Sequence, residues 1–151
     1  MSQPTKQQRQ AISQIVTFCR DEVLFLNKWT IHVNYKKATS KVGPNGCIYA
    51  DIDCDTKYFE AWINVYPDLL QQTHDIVFST ILHELCHLVT EEQQELLNKV
   101  IKNEFINSEM VERANERETS TLQVIVESLL RHPVGPKTYS EIVSKLSKVF
   151  D

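Results

Sequence analysis

Apolar residues recur at two different spacings along this 151-residue chain, and the change of spacing divides it. Across residues 5–27, Ala11, Ile12, Ile15, Val16, Cys19, Val23 and Leu26 fall at helical intervals and predict an amphipathic helix. From Trp29 the period drops to two: Trp29, Ile31, Val33 and Tyr35 alternate with Thr30, His32 and Asn34, as in a half-buried strand. Gly43-Pro44-Asn45-Gly46 predicts a turn, and Cys47 to Asp53 a second strand. A third is expected where Phe59, Ala61, Ile63 and Val65 alternate with Glu60, Trp62, Asn64 and Tyr66, with Pro67 closing it.

Everything after Pro67 reads as helix. Asp68 is a plausible cap for a helix running to Val89, and Thr90-Glu91-Glu92-Gln93 forms a capping-box pattern that predicts a new helix carrying Leu96, Leu97, Val100, Ile101 and Phe105. Asn107 or Ser108 can cap the next helix, from Glu109 to Arg131. His132-Pro133-Val134-Gly135-Pro136 ends it, and Thr138-Tyr139-Ser140-Glu141 is a second capping box opening a final helix to Phe150. The expected fold is α+β in a single domain, 1–151: an N-terminal helix, a small three-stranded sheet, then a mainly helical C-terminal part. No internal repeat or low-complexity segment interrupts it.

Composition narrows the function classes. With 42% hydrophobic and 24% charged residues the chain has the make-up of a globular domain able to bury a core without disulfides. No apolar stretch approaches the roughly 20 residues of a membrane span, and the polar start, Met1 to Gln10, lacks the apolar centre of a secretory signal. A cytoplasmic location is the expectation. Cys19, Cys47, Cys54 and Cys86 include no C-x-x-C pair, against both a thiolate zinc cage and a disulfide framework. Residues 1–47 carry seven Lys/Arg against two acids, net +5, and residues 48–151 nine against eighteen, net −9. Lys28, Lys36, Lys37 and Lys41 lack the density and interleaved aromatics of a nucleic-acid footprint, so no nucleic-acid partner is expected.

The chemistry concentrates in His83-Glu84-Leu85-Cys86-His87. On a helix, residues four apart share a face about 5–6 Å apart at Cβ, so His83 and His87 can reach one zinc ion. Glu84 sits at the edge of that face, placed for a general base acting on a metal-activated water. The flanking Ile76, Val77, Phe78, Ile81, Leu82, Leu85, Leu88 and Val89 leave the helix buried on most sides. Three polar side chains there would each cost several kcal/mol without partners, and a metal supplies a partner to all three. Cys86 points about a quarter-turn away and is expected to pack rather than ligate.

A catalytic zinc usually takes a third protein ligand. Thr90 and Gln93 stand where the pattern H-E-x-x-H-x-x-G-x-x-H needs Gly and His, which removes the metzincin arrangement. A downstream glutamate is the main alternative, in the helix that also carries Val111, Ala114, Leu122, Ile125, Val126 and Leu129. Glu118 falls inside that apolar stripe, and Glu116 and Glu112 share its border, so the residues themselves leave Glu118 and Glu116 both open.

His83-Glu84-x-x-His87 together with Asn115-Glu116-x-x-Thr119 resembles the zincin superfamily, specifically small single-domain metallopeptidase-like proteins of the gluzincin kind, including compact bacteriophage ones and the group related to the ImmA/IrrE peptidases. The resemblance spans residues 29–130 and is carried most specifically by the pentapeptide. It implies Glu116 as the third zinc ligand, by analogy with an Asn-Glu-x-x-Ser element, with Glu118 second. It also implies that the strand from Phe59 to Tyr66 is the edge along which an extended peptide adds. The implied activity is a zinc peptidase with one ion per chain, Glu84 as base and a peptide or protein as substrate. His132, Tyr139, Tyr66 and Tyr49 are candidate oxyanion donors. A zinc-stabilised binding or regulatory protein is the alternative, marked by a fourth protein donor such as Glu118, His74 or Cys86, and a metal-free helical interaction protein ranks last. His32 and His74 have no assigned catalytic role.

Overall fold

Thr5 caps the first helix: its side chain accepts from the Gln8 N–H at 3.1 Å, while the Gln8 side chain accepts from the Thr5 N–H at 3.0 Å. This reciprocal pair satisfies two of the donors that a helix start leaves open. The computed structural model describes residues 3–24, 26–38, 41–43, 46–102, 108–131 and 137–150. Helix α1 (Lys6–Phe18) buries Ala11, Ile12, Ile15, Val16 and Phe18. It is shorter than its apolar spacing predicts. At Cys19–Val23 the chain widens into a π-helical turn, with Leu24 N–H bonding the Cys19 carbonyl at 2.9 Å and Leu26 N–H the Arg20 carbonyl at 2.8 Å. Leu26 and Trp29 nevertheless reach the core, both buried.

Among the described residues five strands follow: β1 (Thr30–Tyr35), β2 (Lys41–Gly43), β3 (Gly46–Ile48), β4 (Ala50–Asp55) and β5 (Glu60–Val65). The expected second strand, Cys47 to Asp53, is two strands, because at Tyr49 the chain changes partner: β3 pairs with β2 in a hairpin and β4 pairs antiparallel with β5. Gly46 has φ +119, a backbone region L side chains rarely adopt, which accounts for glycine at that end of the hairpin turn. Pro44 and Asn45 lie outside the described residues. A short turn joins β4 to β5, fixed by Asp55, whose Oδ1 accepts from the Lys57 N–H at 3.0 Å and the Tyr58 N–H at 3.3 Å.

The main sheet has the order β1-β5-β4, with β1 parallel to β5. This corrects the expectation for residues 59–66. β5 is the central strand, hydrogen-bonded to a neighbour on each side, so no peptide can add to it; β4 is the outer strand on the side that α2 (His74–Ile101) packs against. Register supports the alternation read from the sequence: Ile31, Val33 and Tyr35 lie opposite Ala61, Ile63 and Val65 and face the core, whereas His32 and Asn34 lie opposite Trp62 and Asn64 on the other face.

After β5, Pro67–Gln71 forms a 3-10 turn that contains Asp68, so Asp68 is not the cap of α2; Thr73 takes that position. At 28 residues α2 extends about 42 Å. It runs without a break through Thr90, where the capping-box pattern predicts a new start. The reason is local: the buried Thr90 hydroxyl donates back to the His87 carbonyl at 3.2 Å, the bond a threonine makes inside a helix rather than at its beginning. Helix α3 (Ser108–Leu130) returns along α2, and α4 (Lys137–Phe150) begins at Lys137, one residue ahead of the predicted Thr138 cap. Phe105 and the segment 132–136 lie outside the described residues.

One apolar cluster joins α1, the inner sheet face, α2 and α4, from Ala11 through Ile63 and Leu82 to Leu146. Leu82 is fully buried on α2, one residue before His83. Leu82→Ala is expected to cost about 2–5 kcal/mol, read as a lowered urea midpoint of the metal-free protein. Among the described residues no helix is long and apolar enough to cross a membrane.

Candidate metal centre

Helix α2 is apolar on most sides, with Val77, Phe78, Ile81, Leu82, Leu85, Cys86 and Leu88 buried and Ile76 and Val89 exposed. His83 and His87 interrupt it on the side toward α3, their rings 5.0 Å apart between centroids and nearly perpendicular. Each is partly buried, with side-chain exposures of 22% and 17%.

Helix α3 brings Glu116 to them. One carboxylate oxygen lies 3.6 Å from His83 Nε2 and the other 3.6 Å from His87 Nε2. These separations are too long for charge-assisted hydrogen bonds, which run about 2.7–2.9 Å. Each contact, made through a different oxygen, falls at the upper end of the about 3.3–3.6 Å between two donors placed about 2.0–2.2 Å from one tetrahedral metal. The Glu116 side chain is 53% exposed, leaving this side of the cluster open to solvent.

Glu84 completes the group. Its carboxylate lies with the two imidazoles in a set whose candidate ligand atoms are all within 4.8 Å of one another. It is buried, and burial above all, then the charges of Glu116 and Asp51, push its carboxyl well above the ordinary value of 4.5. His87 moves the other way: burial, then the neighbouring His83, hold it below 6.5, with Glu116 partly opposing, so its imidazole is neutral at neutral pH as a ligand must be. Two histidines, one carboxylate at ligand spacing and a second carboxylate beside them can hold a divalent ion and present a base to a water next to it.

Both imidazoles are fixed from behind by the helix that carries Glu116. Gln123 Oε1 lies 2.9 Å from His83 Nδ1, and the fully buried Thr119 hydroxyl lies 3.2 Å from His87 Nδ1. Glu116, Thr119 and Gln123 stand at i, i+3 and i+7, one face of α3. Sequence reading passed over Gln123 and gave Thr119 no task. Their spacing from Glu116 is the signal that finds them once Glu116 is taken to face the histidines.

The remaining candidates divide. Cys86 is fully buried, and burial followed by the charge of Glu127 pushes its thiol up to about 12, so it packs as a neutral thiol. His74 lies nine residues before His83, about 13 Å along α2, beside Asp75 at 3.4 Å. His32 stacks on Trp62 at 5.8 Å, on the sheet face away from the core. Tyr66 is buried and its hydroxyl donates to Asp51 at 2.6 Å, while Asn64 donates to Asp51 at 2.6 Å and Asp53 at 2.8 Å. Tyr66 thus belongs to a network on β4 whose Asp51 is also one of the charges acting on Glu84. Tyr49 is half-buried against the core, and Glu112 is exposed. The side chains of Glu118 and Tyr139, and all of His132, lie outside the described residues.

Electrostatics at Glu84 makes a stability prediction for the metal-free protein. A carboxyl raised on folding binds more protons folded than unfolded, so its contribution is retained at low pH and lost as pH rises from 4.5 through the raised value. Glu84→Gln is expected to stabilise the metal-free fold at pH 8 by about 1–3 kcal/mol, the order of the desolvation cost of a buried polar group, which is larger for the charged form. That corresponds to roughly 2–10 °C in melting midpoint. The gain should shrink toward pH 4.5; an equal gain at pH 4.5 and pH 8 would contradict the assignment.

No family model, no curated protein and no solved structure matches this chain.

Proposed function

We propose that this protein is a zinc-dependent peptidase in which His83, His87 and Glu116 hold one zinc ion and Glu84 is the general base. The observation that carries the reading is the pair of 3.6 Å approaches of Glu116 to both Nε2 atoms, with a buried second carboxylate at hand. A bound zinc ion would bring the pKa of a coordinated water toward ~7 and polarise a peptide carbonyl. Glu84 accepts the proton of the attacking water and returns it to the leaving amine.

The substrate is an extended peptide segment. β4 is the outer strand on the α2 side of the sheet and carries Asp51, whose charge acts on Glu84, so a segment adding there would lie near the proposed base. All four cysteines are free, which suits a reducing compartment and supports a cytoplasmic location.

The same cluster supports one other reading, because Glu84 is close enough to the imidazoles to serve as a fourth ligand. A closed four-ligand site would make the protein a zinc-stabilised binding or regulatory module. Zinc affinity of Glu84→Gln separates the two. Affinity near wild type, with hydrolysis of an unfolded protein substrate lost, is the expected result; affinity lowered along with the ligand variants would assign Glu84 to the metal and remove the peptidase reading.

A further inference from the structure

The side-chain amide of Gln123 can be oriented from its surroundings alone. Its Nε2 meets three acceptors: the Ser79 carbonyl at 3.1 Å, the Ser79 hydroxyl oxygen, and Glu127 Oε1 at 2.9 Å. Turning the amide over would aim its carbonyl oxygen at a backbone carbonyl and a carboxylate, neither of which can donate. Oε1 therefore faces His83 Nδ1 at 2.9 Å, and an amide oxygen accepts, so Nδ1 must carry the proton. In the neutral imidazole this leaves Nε2 with a bare lone pair, on the side where Glu116 stands 3.6 Å away. Lone pair and carboxylate facing one another repel unless a cation lies between them.

We infer that Gln123 is a positioning residue that holds His83 in its Nδ1–H tautomer and so turns the Nε2 lone pair toward Glu116. Ser79 and Glu127 act through Gln123: they fix which end of the amide the histidine meets. Glu127 is itself only 19% exposed, so its charge reaches the amide with limited screening. The tautomer assignment needs no metal, whereas its purpose, a preformed nitrogen ligand, rests on the zinc reading above. The same arrangement accounts for a polar chain through the packed junction of α2 and α3, where leucine-like residues would pack more simply.

The test uses the full chain labelled with 15N at histidine, stripped of metal and held near pH 8, with long-range proton–nitrogen spectra assigning the His83 tautomer. Wild type is expected to show Nδ1 protonated and Nε2 bare. Gln123→Met, which keeps the length but removes the acceptor, should shift His83 toward Nε2–H and lower cobalt(II) affinity by about 10–100-fold. The smaller change Gln123→Asn, which keeps an amide but draws its oxygen back from Nδ1, should shift the tautomer and the affinity in the same direction. A metal-free melting midpoint of either variant close to wild type, with the His83 tautomer changed, separates positioning from folding. Nε2–H in wild type, or an unchanged tautomer in Gln123→Met, overturns the inference. A tautomer that responds as expected in a protein binding no cobalt(II) upholds the positioning role and removes the zinc reading instead.

Discussion

Glu84→Gln is expected to lower peptide hydrolysis by about 10²–10⁴-fold, the usual contribution of a positioned general base, while the chain keeps its zinc. The substitution preserves size and leaves His83, His87 and Glu116 untouched, so the three proposed ligands still converge. What disappears is the group that takes a proton from the attacking water. Because the same change relieves a buried carboxylate, activity falls as metal-free stability rises. An active-site change that destroys function while stabilising the fold is hard to produce by general damage, so the two opposing readouts together are stronger than either alone. Steady-state rates on zinc-loaded protein and thermal melting after chelation, on the same preparations, check both.

Glu116→Ala is expected to weaken zinc binding by more than about 100-fold, since losing even an outer partner of a metal ligand costs ~10–100-fold. Glu116 is the only described side chain from outside α2 that approaches both Nε2 atoms, and without it the helix pair offers two imidazoles on one helix. His87→Ala should do the same. The loss is readable without a substrate: zinc at about 100 times its Kd stabilises a folded protein by about 2.7 kcal/mol, and that zinc-induced shift in melting should vanish in both variants. The metal-free Glu116→Ala protein should melt close to wild type, because its side chain is half exposed and makes no direct hydrogen bond to either imidazole. A zinc-induced shift of wild-type size in Glu116→Ala would reject Glu116 as a ligand.

The elements that matter for the site were largely legible because each rests on a local rule. Period-two alternation placed β1 and β5, and the all-round apolar helix with two histidines four apart placed α2 and its motif. The misreadings come from patterns whose meaning depends on neighbours far along the chain. Thr90-Glu91-Glu92-Gln93 has the composition of a helix start, yet Thr90 is buried and bonds backward, so tertiary burial decided what the local pattern left open. Phe59 to Tyr66 reads equally well as an edge or a central strand, because strand order depends on β1 and β4 pairing across 24 or more residues of intervening chain or through a short turn. Gln123 was invisible for a similar reason. A glutamine on a helix acquires meaning only when the position of the facing histidine is known, and its distance of 40 residues from His83 hides the pair in sequence.

The central claim is that His83, His87 and Glu116 hold one zinc ion, and metal content per chain by elemental analysis tests it most directly. It should be measured on wild type and on His83→Ala, Glu116→Ala and Glu118→Ala after reconstitution with zinc and removal of excess. One zinc per wild-type chain, lost with His83 and Glu116 and kept with Glu118, is the predicted result. Wild-type protein that retains no zinc after reconstitution, or zinc lost with Glu118 and kept without Glu116, would contradict the account.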